Sequence, residues 1–127
     1  MPLVRIALRK GTTPEFRRAL SESIHRAMVE AIKIPEQDRF QVITEHDEEG
    51  LVYDPSYLGI KRSDGVIFIQ ITLSAGRPLD VRKTLFARIA HNLGKSPGVR
   101  PEDVFVNLVE TAKENWSFGN GVAQYAV

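Results

Sequence analysis

The sequence predicts an α+β (α/β) domain in which two tandem β-α-β repeats form a four-stranded sheet with two helices. Three observations carry this expectation. Apolar residues recur at helical spacing in two long stretches. A short β-branched run stands before and after each of them. The two halves also repeat: strand, glycine-containing break, proline-started helix, and a Pro-Glu turn closed by an aspartate occur in the same order in each. Pro14 maps onto Pro78 and Pro35 onto Pro101, and IPEQDRFQVI resembles VRPEDVFVNL. A right-handed crossover makes the two strands of each unit parallel, with the helix on one face. The helices then cover the same face or opposite ones. A split β-α-β arrangement of the ferredoxin-like kind uses the same elements and is the alternative.

Each element has a local reason. Leu3–Leu8 (LVRIAL) reads as a strand, broken by Gly11 and Thr12. Thr13 suits an N-cap and Pro14 the first helical position. Phe16, Leu20, Ile24, Met28 and Ile32 then form one apolar face, and Ile34-Pro35 ends the helix. Arg39–Thr44 reads as the second strand. The polar stretch 45–65 is an excursion, with a short strand expected near Leu51–Tyr53. Val66–Leu73 is the strongest strand. Gly76-Arg77-Pro78 opens the second helix, and Gly94 is its expected C-cap. Pro101-Glu102-Asp103 turns into a fourth strand, Val104–Val109. The glycine-spaced aromatic tail, about 115–127, is expected to be a hairpin or a partner-binding arm.

At 127 residues the chain fits one domain, spanning 1–127, with repeats at about 2–45 and 66–110. Its 17 basic and 16 acidic residues nearly cancel, so no bulk attraction to nucleic acid or an anionic membrane is expected. The absence of cysteine excludes disulfides, thiolate nucleophiles and Cys-type zinc sites, and fits a cytoplasmic location. No apolar run approaches the roughly 18 residues of a membrane span. Arg5 and Arg9 interrupt the apolar start, so it does not read as a signal peptide.

Few residues offer chemistry. A small residue after the initiator methionine permits methionine removal, which would leave Pro2 as a secondary amine. Apolar surroundings or a nearby cation would lower its pKa toward the range useful for proton transfer. Asp38 closes the first helix-to-strand turn, where it can position water or take a proton; its repeat partner Asp103 favours a plain turn role for both. Arg77 stands at a helix start, where a guanidinium would grip a carboxylate at two points; the alternative is a solvated arginine or one paired with Asp80. Trp116 and Phe118, in NWSFGNG, can wall a pocket, pack the core or face a subunit interface. His25, His46 and His91 lack metal-ligand spacing, and His25 and His91 are expected to be solvated.

Taken together, MPL at the start, IPEQDRFQVIT, LGIKRSD, the central strand followed by GRP, VFVNLVE and NWSFGNGVAQY resemble the tautomerase superfamily, and within it the malonate semialdehyde decarboxylase-like group. The resemblance runs nearly end to end. It implies the 4-oxalocrotonate tautomerase fold, a homotrimer, no metal or organic cofactor, and a small carboxylate-bearing oxo acid as substrate. It implies Pro2 as catalytic acid, electrostatic catalyst or base, Asp38 as the residue that activates water or tunes the proline, and Arg77 as the carboxylate anchor. Trp116 and Phe118 correspond to aromatic pocket residues. One departure stands out: Ala75 occupies a position where the decarboxylase pattern carries a second arginine. The expected activity is decarboxylation or hydration, with keto–enol tautomerisation or a non-catalytic trimeric binding domain as alternatives.

Overall fold

The computed structural model describes residues 1–126. Strand β1 (Leu3–Arg9) leads into helix α1 (Pro14–Ile32) and strand β2 (Gln41–His46); β3 (Ile67–Ser74), α2 (Leu79–Lys95) and β4 (Val104–Thr111) repeat the pattern. The sheet order is β2-β1-β3-β4. β1 and β2 are parallel neighbours, β3 and β4 are parallel neighbours, and β1 pairs antiparallel with β3. No strand intervenes inside either β-α-β unit, which rules out the split ferredoxin-like arrangement.

Helix α1 starts as its sequence dictates. Pro14 takes the first turn, and the Thr13 hydroxyl oxygen accepts from the Phe16 backbone N–H at 3.1 Å. It ends on Lys33 in the left-handed region, immediately before Ile34-Pro35. Both helices pack on the same face of the sheet and against each other. Val4, Ile6 and Leu8 of β1 pair with Ile71, Ile69 and Ile67 of β3 to floor the core. Leu20, Ile24 and Met28 descend on it from α1, and Leu85, Ile89 and Leu93 from α2; all are essentially inaccessible. Ile69 lies at the centre of this floor. Ile69→Ala is expected to cost about 2–5 kcal/mol, through lost transfer energy and the cavity left behind. A urea midpoint falling at constant slope checks it.

Among the described residues the opposite face of the sheet carries no helix. Arg5, Val42, Thr44, Gln70 and Asn107 stand exposed there, around a Phe68–Phe105 pair with ring centroids 5.0 Å apart.

Several boundaries differ from the sequence expectation. β2 begins at Gln41, not Arg39, because Arg39 is still in the turn: its N–H bonds the Gln37 carbonyl, and its guanidinium reaches Glu22 on α1 at 2.7 Å. No strand forms at Leu51–Tyr53; Leu51 is buried and its carbonyl accepts from the Arg9 side chain. Gly94 is inside α2, which runs to Lys95 and is capped at Ser96, whose carbonyl accepts from the Ser23 hydroxyl. Asp103 is a turn residue, and a buried one: its carboxylate accepts from the Ser63 N–H at 2.8 Å and hydroxyl at 2.6 Å, pinning the excursion to the start of β4.

Among the described residues the tail forms no hairpin. After a short 3-10 turn at Lys113–Asn115 it folds on itself through Gln124, whose amide oxygen accepts from the Phe118 N–H and whose amide donates to the Gly119 carbonyl. Val127 lies outside the described residues. Among those residues no helix is long and apolar enough to cross a membrane.

Candidate active site

Strand direction decides which residues can meet. β1 and β2 run one way and β3 and β4 the other, with Leu3 opposite Thr72, Val4 beside Gln41, and Ser74 beside Thr111. Segments just before β1 and β2 therefore share one end of the sheet with segments just after β3 and β4. Pro2, Asp38, Arg77 and Trp116 all fall in those four segments. Neither repeat alone brings them together; the antiparallel β1–β3 seam does.

Pro2 is buried at this end. The Met1 amine forms an ion pair with the Asp38 carboxylate, and both side chains are only 14% exposed. The Met1 thioether accepts from the Ser74 hydroxyl at 2.8 Å. Half-buried Arg77 donates from Nη1 to the Ser74 carbonyl at 3.1 Å, which ties the start of α2 back to the end of β3. Met1 thus fills the space between Asp38, Ser74 and Arg77.

Opposing influences act on an amine placed here. Burial first, and the positive charge of Arg77 second, lower the pKa of the Met1 amine from 8.0 to about 6. Contact with the Asp38 carboxylate favours the ammonium form. Burial and the guanidinium on one side, and the carboxylate on the other, set whether an amine at this point carries its proton near neutrality.

The aromatic tail closes over the same end. The Trp116 indole N–H donates to the Thr111 hydroxyl at 2.8 Å, anchoring it at the end of β4. Phe118 stacks on Trp116, with centroids 5.5 Å apart and planes 8° from parallel, and reaches Phe40 at 6.4 Å, just before β2. Tyr125 meets Phe118 edge-on at 5.0 Å. The arm therefore runs from one edge strand to the other, across the ends of β1 and β3 where Pro2 lies.

Ser74, Thr111, Phe40 and Tyr125 join this end of the molecule without having been singled out from the sequence. Phe40 had a signal, two residues after Asp38. Ser74 and Thr111 become legible only from the β3–β4 register. Ala75 is exposed, so the place of a second arginine stays open. His25 is not solvated as expected but fully buried on α1. A cavity of about 360 Å³ lies elsewhere, lined by Leu8, Arg9, Gly11, Phe16 and Asp64 at the far end of β1. Its Arg9 is already committed to Asp64 and the Leu51 carbonyl. Convergence of polar groups, rather than cavity size, marks the candidate site.

Two family models, both described as tautomerase enzyme, match residues 38–119 and 2–61. The chain is 44% identical over 124 residues to "Probable tautomerase YusQ" of Bacillus subtilis (strain 168), covering 98% of each. It is similar to the solved structure of FG41 malonate semialdehyde decarboxylase inhibited by 3-bromopropiolate, at 40% identity and TM-score 0.91, covering 97% of this chain and 93% of that one. A second malonate semialdehyde decarboxylase structure, described as a basis for decarboxylase and hydratase activities, matches at 30% identity and TM-score 0.92, covering 97% and 95%. These similarities span the chain, and the β-α-β repeats, the sheet order and the two helices agree with them. The alternative of a non-catalytic binding domain gives way: the chain belongs to the tautomerase superfamily and is an enzyme of it.

Proposed function

We propose that this enzyme uses Pro2 as an N-terminal secondary amine to decarboxylate or hydrate a small carboxylate-bearing oxo acid. The observation that carries this reading is the placement of the chain's buried amino-terminal end between the Asp38 carboxylate and the Arg77 guanidinium. Removal of Met1 frees the Pro2 nitrogen and vacates the space that Met1 fills. With Met1 attached, that nitrogen is an amide without basicity.

In the decarboxylation of a 3-oxo acid such as malonate semialdehyde, Arg77 holds the carboxylate and protonated Pro2 donates to the carbonyl oxygen. The bond from the α-carbon to the carboxyl carbon breaks, carbon dioxide leaves, and the electron pair passes into an enol that reprotonates at carbon. Asp38 keeps the ammonium form of Pro2 by its charge, or positions water when the substrate is an acetylenic or unsaturated acid. Trp116 and Phe118 exclude bulk water, which strengthens both charge contacts. The names of the similar decarboxylase structures support this choice of chemistry.

A second reading, keto–enol tautomerisation with neutral Pro2 as base, has its own support in the burial and the Arg77 charge, which pull the neighbouring Met1 amine down to about 6 and would act in the same direction on a freed Pro2. The pH profile separates the two. A cationic Pro2 gives activity that is lost as pH rises through the amine pKa; a basic Pro2 gives activity that is gained over the same limb. Asp38→Asn removes the charge that favours the ammonium form, so in either case the limb moves to lower pH. A limb that stays in place removes Asp38 from the account. The subunit association we propose is a homotrimer built on the uncovered sheet face around Phe68 and Phe105.

A further inference from the structure

We propose that His25 is a positioning residue for Asp38, acting through the Pro35–Asp38 turn; this inference rests on the role proposed for Asp38 above. His25 lies on α1 beside the core residue Ile24, and it is fully buried although polar. Its Nε2 stands 2.7 Å from the Glu36 carbonyl oxygen, two residues before Asp38. A carbonyl can only accept, so Nε2 is the donor. Its Nδ1 is buried without a hydrogen-bond partner, a cost that an apolar residue of similar size would not carry.

The surrounding contacts show what the histidine adds. α1 grips the segment leading into β2 at four successive places along one face. The Ser21 carbonyl accepts from the Gln41 amide at 3.1 Å, and Glu22 takes Arg39 at 2.7 Å. Arg26 pairs with the Glu36 carboxylate at 2.5 Å, and His25 holds the Glu36 carbonyl. The two ion pairs join side chains that are 38–62% exposed, and exposed pairs of this kind contribute little. The His25 bond is part-buried, comes from a fully buried side chain and goes to the backbone of the turn itself. The turn closes immediately afterwards, with the Asp38 N–H bonding the Pro35 carbonyl at 3.1 Å. Orientation of Glu36 therefore passes to Asp38 through two peptide units, and the catalytic carboxylate is aimed from the helix side.

The test uses the enzyme freed of Met1 and 3-bromopropiolate, an acetylenic acid: water positioned by Asp38 adds across its triple bond, the acyl bromide so formed acylates Pro2 with loss of bromide, and the modification is followed by intact mass. The maximal rate of modification and the concentration giving half that rate are determined separately. His25→Leu is expected to slow the maximal rate about 10- to 100-fold, the scale on which small misplacements of a reacting group act. The half-saturating concentration, set by Arg77, stays unchanged. His25→Gln, whose amide can reach the Glu36 carbonyl, is expected to stay within about threefold of native, the worth of a slightly imperfect hydrogen bond. His25→Asn, too short for that carbonyl, behaves like His25→Leu. Combined with Asp38→Asn, His25→Leu adds no further loss, because both act on one carboxylate. A native rate for His25→Leu, or a loss that multiplies that of Asp38→Asn, overturns the proposal. Should His25→Leu fail to fold, Gln and Asn decide it: equal rates for the two overturn it. A native rate for Asp38→Asn alone instead removes the reading of Asp38, and this proposal with it.

Discussion

Replacing Pro2 by alanine is expected to lower turnover of the oxo-acid substrate on the order of 10²- to 10⁴-fold, the range supplied by a positioned acid or base. Alanine leaves a primary amine after Met1 removal, but without the ring that fixes the nitrogen's direction at the start of β1. A chain in which any residue stays in front of Pro2 is expected to lose more, since the nitrogen is then an amide and cannot titrate. Both forms should fold as the native enzyme does, because the core is floored from Val4 onward. Steady-state kinetics with circular dichroism on the same samples checks the pair. Full activity in the blocked form would mean that the Pro2 nitrogen takes no part.

The second large effect is expected at Arg77. In the proposed mechanism its guanidinium grips the incoming carboxylate, and hydrogen bonds to charged groups are worth about 1.5–3 kcal/mol. Arg77→Ala should therefore reduce kcat/KM roughly 10- to 100-fold, mostly through KM. Arg77→Lys keeps the charge but loses the planar fork, and should fall between alanine and native. Arg77→Ala also removes the charge that lowers the amine pKa, so the limb of the pH profile moves upward, opposite to the shift expected for Asp38→Asn. These opposite shifts are hard to obtain from a general loss of folding. A kcat loss with unchanged KM would place Arg77 in the chemical step instead of in anchoring.

Much of this architecture is readable before any coordinates. The fourfold spacing of Leu20, Ile24 and Met28 needs one buried face, and the β-branched Val66–Leu73 run needs a strand covered on one side. The repeat of Pro14 and Pro35 by Pro78 and Pro101 makes two like units. What the pattern cannot supply is how the units join. Pairing of Leu3 with Thr72 along the β1–β3 seam brings Pro2 to the same end as Arg77. Asp38, Arg77, Trp116 and Phe118 were legible as a set through family resemblance; Ser74 and Thr111 were not, since each is one small polar residue at a strand end. His25 reads as a surface residue because Ser23 and Arg26 flank it. It is buried because the Glu36 turn folds back over the flank of the apolar stripe, a contact 11 residues away that no helical period encodes. The β2 boundary differs for a related reason: RFQVIT has strand composition throughout, but Arg39 is still in the turn, its N–H bonded to the Gln37 carbonyl.

The most direct test of the central claim is intact mass of the purified enzyme before and after incubation with 3-bromopropiolate. Loss of Met1 is expected, then a single adduct that maps to Pro2, disappears when the terminus is blocked, and is slowed by Arg77→Ala. A free Pro2 that takes no adduct while the folded enzyme turns over an oxo acid would contradict it, and would move the chemistry away from the amino terminus.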